Sequence, residues 1–348
     1  MVTFESQAPG PFFAVGIWRS GTSLLHALLN QHPQIALLYE GDLPLLGAFF
    51  RVPGGRKGWA KRWNFWNGAL RRHQLEAAVF PKDLSDENRA TRAVYRMFAA
   101  RKGARIWGEK SPTYYVELRR LARSFPDARF LIIWRDPAEI LDSMYRAAAG
   151  GSLWFRKRGM PLRALMGFRE MKRQRDELVR RGILLHEIDY KKMTSDPENV
   201  MREVCGFLDI PFDVRMASLA DADRSAVPEG EHHAKVKSQA IEHAEKEKSV
   251  LPPELKGKVD RYVNLWRKQT GGDWPSVAPR PDPPDSAAMP SWAERTADAV
   301  AFRLLRGFDH LVLLLYSIAP ISLLQSYRDQ KRRAAGLSAR PRSQGDVG

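Results

Sequence analysis

The passage from Phe12 to Leu29 restricts this chain more than any other. A short apolar run, Phe12 to Ile17, meets Gly16-Ile17-Trp18-Arg19-Ser20-Gly21. Leu24, Leu25, Leu28 and Leu29 then follow helical spacing up to Asn30-Gln31-His32-Pro33. Strand, glycine turn and helix in that order open an α/β unit whose strand is covered on both faces. A second run of this kind is Arg129 to Trp134, apolar throughout in FLIIW. It enters Arg135-Asp136-Pro137, with Pro137 suited to a first helical turn, and a helix to about Ala149. Ile183 to Ile188 reads as a third strand, ending at Asp189-Tyr190, with helices over Arg163 to Arg181 and Glu198 to Leu208. The alternation predicts a three-layer α/β fold: a central parallel sheet, helices on both faces and a C-terminal helical extension.

Composition narrows the function classes. A hydrophobic share of 44% with 28% charged residues fits neither a wholly disordered chain nor a multi-span membrane protein. The net charge of +16 favours anionic partners: nucleotide phosphates, nucleic acid or an acidic membrane surface. Cys205 is the only cysteine, so an internal disulfide or a cysteine-built metal centre is excluded and a reducing compartment is expected. The start MVTFESQAPG has no Lys or Arg, unlike a signal peptide, and no Asn-x-Ser/Thr sequon occurs. A cytoplasmic location follows, with a peripheral place on the inner face of a membrane left open.

Along the chain, residues 1–274 are expected to form the compact domain, 275–290 a Pro-rich linker, 291–330 an apolar helical segment and 331–348 a basic disordered tail. Trp59, Trp63, Trp66 and Leu70 fall at helical spacing and read as a buried face, or else as part of a substrate-lining insertion. The apolar stretch 311–324 is 14 residues long, short of the ~20 a span requires. Arg303 and Arg306 precede it, and Arg328, Lys331, Arg332 and Arg333 follow. That suits a helix lying at an anionic membrane surface, against packing on the domain or a homodimer interface.

Four segments carry chemistry. The glycine spacing of Gly16 to Ser23 is that of a phosphate-binding loop, with backbone N–H groups at the following helix start facing an anion. Where triphosphatases place a lysine this chain has Thr22, and its cation is Arg19 instead, which suits a nucleotide end with fewer phosphates. Arg135 closes the second strand and Ser143 lies eight residues on, so a guanidinium and a hydroxyl could hold a second phosphate. The plainer reading of Arg135-Asp136 is a local ion pair capping a helix. Lys110, in Glu109-Lys110-Ser111-Pro112, could project into the same cleft, and Glu40, in Tyr39-Glu40-Gly41-Asp42, could take a proton from an acceptor.

Together RSGTS, EKSPTYY, FLIIWRDPAEILDS and DYKKMTSDPENVMREVCGFLDIPF resemble the sulfotransferases that use 3′-phosphoadenylyl sulfate (PAPS), over roughly residues 12 to 270. The resemblance is closer to the protein-tyrosine and heparan sulfate branches than to the cytosolic small-molecule branch. It implies a P-loop-type α/β domain that moves a sulfuryl group from PAPS to an acceptor and releases adenosine 3′,5′-bisphosphate (PAP). By that resemblance Arg19, Ser20, Gly21, Thr22 and Ser23 bind the 5′-phosphosulfate, Arg135 and Ser143 the 3′-phosphate, and Tyr190 the adenine. Glu40 is the base, and Lys110, with Arg19, stands near the transferring group.

The cytosolic branch keeps a histidine base and an Arg-Lys-Gly loop with Gly-Asp-Trp, whereas Arg267 to Trp274 here is only a partial counterpart. Lys235, Lys237 and Ser238 loosely match a nucleotide-covering loop. A small-molecule, lipid or glycan acceptor is expected, with no metal and no nucleic acid partner. The competing readings are a P-loop small-molecule kinase and a non-catalytic basic module that binds membrane or nucleic acid.

Overall fold

A computed structural model describes residues 11–45, 86–152, 154–157, 159–223, 249–269 and 289–334, with positions 58, 73, 225, 227 and 241. The expected face of Trp59, Trp63, Trp66 and Leu70 lies outside them. So do Lys235 to Ser238, Thr270 to Trp274, most of the Pro-rich segment and the tail beyond 334.

Five strands are described: β1 (Phe12–Val15), β2 (Ile35–Tyr39), β3 (Ile106–Lys110), β4 (Arg129–Trp134) and β5 (Leu185–Asp189). They pair in parallel in the order β2-β3-β1-β4-β5. The helices are α1 (Thr22–Leu29), α2 (Glu87–Lys102), α3 (Leu118–Ser124), α4 (Pro137–Ala149) and α5 (Met160–Arg180). Then come α6 (Tyr190–Ser195), α7 (Pro197–Leu208), α8 (Pro253–Gln269), α9 (Trp292–Ile318) and α10 (Ile321–Ala334).

The two-residue period of the strands divides the core into two layers. Phe13, Val15, Phe130, Ile132 and Trp134 face one cluster with Tyr95 and Phe98 of α2 and Phe168 of α5. Phe12, Ala14, Leu131 and Ile133 face the other, with Leu25 and Leu28 of α1 and Met201 and Val204 of α7. A sheet apolar on both faces needs helices on both, and that produces the three layers.

Local signals set the boundaries. Asp136 accepts from the Ala138 amide at 2.7 Å and Pro137 occupies the first turn of α4. Strand β1 ends at Val15, two residues before the expected Ile17, because the turn begins at Gly16 and the Ser20 amide donates to the Ile17 carbonyl at 3.0 Å. In the C-terminal segment Pro320 breaks the helical pattern, leaving Ala319 extended between α9 and α10.

Helix α9 lies against the domain. Phe302 joins the core, Arg306 pairs with Glu117 at 2.7 Å, Asp298 pairs with Lys258 at 2.7 Å, and Arg163 of α5 pairs with Asp309. No helix among the described residues is long and apolar enough to cross a membrane.

Gly108 marks where β3 and β1 pair most tightly: a Cβ there would overlap the Phe12 carbonyl oxygen. Backbone cannot rotate aside as a side chain can. Gly108→Ala is therefore expected to cost about 1–3 kcal/mol, read as a lower midpoint in denaturant unfolding; an unchanged midpoint contradicts this packing.

Candidate active site

Parallel pairing brings all five strand C-termini to one edge of the sheet, where α/β folds place their ligands. The loop after β1 carries Arg19 and Ser20, Glu40 follows β2, Lys110 ends β3, Arg135 follows β4 and Tyr190 follows β5.

The loop adopts an unusual backbone shape. Arg19 has φ 72° and Gly21 has φ 102°, both left-handed, and a side chain at Gly21 would collide with the Tyr190 ring. Gly21 thus lets the loop close over Tyr190 while its amide heads α1. The Ser20 hydroxyl is buried and makes no hydrogen bond. A buried hydroxyl without a partner costs stability unless a ligand meets it, and here it sits in a glycine loop at a helix start.

Arg135 and Arg19 meet across the loop. Arg135 Nη1 donates to the Arg19 carbonyl at 3.0 Å, its Nε pairs with Glu139 at 3.2 Å, and its guanidinium lies 4.3 Å from the Tyr190 ring centroid. Arg19 Nε donates to Ser143 Oγ at 2.9 Å. Burial, and then the charge of Arg135, pulls the Arg19 guanidinium down to about 10. Two half-buried cations therefore meet here, with Glu139 paired to one of them. Ser143, expected beside Arg135, is bonded to Arg19, so both phosphate-binding candidates belong to one cluster. The capping role falls to Asp136, while Arg135 reaches back to the loop and also pairs within its own helix.

The second half of the edge holds Lys110 and Glu40. Lys110 is fully buried, with Nζ 2.6 Å from Glu40 Oε1, 3.2 Å from Ser23 Oγ and 3.7 Å from the Tyr39 ring centroid. Glu40 itself is part-exposed and has φ 48°. Ser23 also shares a 2.8 Å hydrogen bond with the Tyr39 hydroxyl. One ammonium therefore touches both the anion loop and the carboxylate at the mouth. The expected residues Arg19, Ser20, Gly21, Thr22, Ser23, Glu40, Lys110, Arg135, Ser143 and Tyr190 converge on this edge.

Sequence reasoning missed the support beneath Glu40. Glu109 is fully buried and accepts from the Asp42 amide and the Tyr95 hydroxyl. The Asp42 carboxylate accepts from Thr113 Oγ1 at 2.7 Å and from Ser111 Oγ at 2.5 Å. With Asp42 at φ 57°, the Glu40-Gly41-Asp42 turn is held in an unusual backbone shape by this network. An aromatic wall was also missed: Trp18 packs edge-on against Tyr115 at 4.9 Å and Trp154 at 6.0 Å, and Phe155 lies 5.8 Å from the Arg19 guanidinium. The described residues contain no group of three His, Cys, Asp or Glu placed to hold a metal ion.

The protein is thus a three-layer α/β fold that gathers a glycine loop, paired arginines and a lysine–carboxylate pair along one sheet edge. Residues 11–214 match the profile of the Sulfotransferase family, and the chain belongs to that family. Nodulation protein NoeE of Sinorhizobium fredii is 33% identical over 137 residues, 38% of this chain but only 30% of NoeE's own length. A Caenorhabditis briggsae protein assigned by name to the protein-tyrosine sulfotransferases is 23% identical over 208 residues, 59% of this chain and 67% of that one. The sulfotransferase domain from the curacin biosynthetic pathway shares the fold at a TM-score of 0.53 and 19% identity, covering 74% of this chain and 97% of that domain.

Burial, and then the nearby Asp42 charge, pushes the Glu109 carboxyl from 4.5 up to about 8. Its folded pKa exceeds its unfolded one, so its contribution to stability is complete below about pH 4.5 and is lost as pH rises through about 8. Glu109→Gln keeps an acceptor for the Asp42 amide but cannot titrate. The stability difference between wild type and this variant is expected to change with pH across that window by up to about 1.4 kcal/mol per pH unit, followed by denaturant unfolding; a pH-independent difference contradicts it.

Proposed function

We propose that this sulfotransferase takes its sulfuryl group from PAPS and passes it to an acceptor hydroxyl at the sheet edge. The observation that carries the reading is the buried, unbonded Ser20 hydroxyl in a loop bridged by Arg19 and Arg135, which is a cradle suited to a phosphate. On this reading Arg19 to Ser23 hold the 5′-phosphosulfate, Arg135 and Ser143 the 3′-phosphate, and Tyr190 borders the adenine. The contact of Arg135 with the Arg19 carbonyl supports this by placing both residues in one cluster.

The donor supplies an activated sulfur–oxygen bond and a stable leaving phosphate. Glu40 takes the acceptor proton, and the acceptor oxygen bonds to sulfur as the bond to the 5′-phosphate oxygen breaks and its electron pair leaves with PAP. Lys110 and Arg19 offset the charge gathering on the equatorial and leaving oxygens. Lys110 is suited to this because it already contacts both Ser23 and Glu40. A lipid or glycolipid hydroxyl is the proposed acceptor: Trp18, Trp154 and Phe155 give the arginine side of the site an apolar border, and Trp154 is well exposed.

Calorimetric titration with PAP and with ATP tests the donor. Tight PAP binding with weak or absent ATP binding is expected, and the reverse order supports a small-molecule kinase. Glu40→Gln is expected to lower turnover by roughly 10²–10⁴ while PAP affinity holds; near-normal turnover removes Glu40 from the role of base.

A further inference from the structure

Helix α9 is apolar on two sides: Phe302, Leu305, Leu313 and Tyr316 face the domain, and a second apolar row faces away from it. Its three carboxylates, Glu294, Asp298 and Asp309, form ion pairs with Arg261, Lys258 and Arg163 of the domain, Asp309 staying about half exposed. On the other side Val300, Leu304, Phe308, Leu311, Leu315 and Ile318 recur at intervals of three and four, a stripe about 27 Å long at 1.5 Å per residue. Leu304 is 70% exposed, Phe308 61% and Ile318 68%, and Leu323 continues the apolar surface at 62% on α10. Patches of this extent on a folded domain mark contact surfaces.

Charge identifies what the surface meets. The one exposed carboxylate of α9, Asp309, is paired with Arg163 and lies across the helix from the stripe, which exposed Arg303 borders along one flank. Downstream, residues 328–348 contain Arg328, Lys331, Arg332, Arg333, Arg340 and Arg342 against Asp329 and Asp346. A second copy of the chain meeting this face by two-fold symmetry would bring the same cations together. An anionic bilayer accepts both features, with apolar side chains entering the headgroup layer and cations facing the lipid phosphates.

We propose that the outer face of α9 and α10, from Val300 to Leu323, docks onto an anionic lipid surface. This deepens the sulfotransferase reading by giving it a lipid-borne acceptor. The inner side of α9 reaches Glu117 through Arg306, next to Tyr115, whose ring packs on Trp18 of the anion loop. The docked helix therefore stands only a layer or two of side chains behind that loop.

Co-sedimentation of the full chain with phosphatidylcholine–phosphatidylglycerol vesicles, and with phosphatidylcholine alone, tests the proposal. Size-exclusion with light scattering and PAP titration run in parallel. Binding to the mixed vesicles that weakens with salt is expected, with little binding to the neutral ones. The triple variant Leu304→Glu, Phe308→Glu, Leu311→Glu changes only exposed positions, so PAP affinity is expected to hold while vesicle binding falls by at least about tenfold.

No binding to mixed vesicles, equal binding to both compositions, or binding that survives the triple variant overturns the docking surface. A dimer that the same variant dissociates, without vesicle binding, assigns the stripe to a second copy instead. A chain that binds vesicles but not PAP keeps the surface and removes the donor reading, so the two proposals fail separately.

Discussion

The hydrogen bond from Arg135 to the Arg19 carbonyl joins residues 116 apart in the chain and so ties together the loops that follow β1 and β4. Both strands are continuous apolar runs buried on two faces, so their ends are fixed by the sheet and only the loop between them can adjust. The tie holds the Arg19 carbonyl against a cation and leaves Arg19 in a left-handed backbone with its own guanidinium on Ser143. Without it, the two charges would have little reason to remain side by side away from water. On the proposed reading, an electropositive loop held in place beforehand would lower a barrier by preorganised electrostatics.

The other half of the edge follows the same logic with opposite charges. Lys110 is buried, which is costly for an ammonium unless several groups meet it, and Glu40, Ser23 and the Tyr39 ring do so. The turn that presents Glu40 is held from below by Glu109, Asp42, Ser111 and Thr113, so the part-exposed carboxylate stands on a buried polar base. Where a mobile surface carboxylate would spend much of its time in water, this one is aimed along the sheet edge toward the anion loop.

Strands β1 and β4 were legible because they are short apolar runs closed by charged or turn residues, whereas β3, Ile-Trp-Gly-Glu-Lys, has no such run and was not read as a strand. Arg129 to Trp134 and the helix to Ala149 match the observed elements residue for residue. The glycine loop was legible for a similar reason: the small residues at 16 and 21 have few uses other than close approach. The Glu109 network was not, because it joins positions 67 and 14 residues apart, and a carboxylate in a strand gives no local sign of being buried. Nor was the docking of α9, which meets the domain through Phe302, Leu305 and Leu313 together with Asp298, Arg306 and Asp309, while Leu304, Leu311, Leu314 and Leu315 face outward. Hydrophobic periodicity assumes a single apolar face, so it indicates the helix without indicating which side packs.

A crystal structure of the full chain with PAP tests the central claim, that one nucleotide is held at both ends by this sheet edge. The account predicts the 5′-phosphate on the amides of residues 20–23 with Ser20 Oγ donating to it, and the 3′-phosphate in contact with the Arg135 guanidinium. A nucleotide bound elsewhere, or one whose 3′-phosphate projects into solvent away from Arg135, contradicts it.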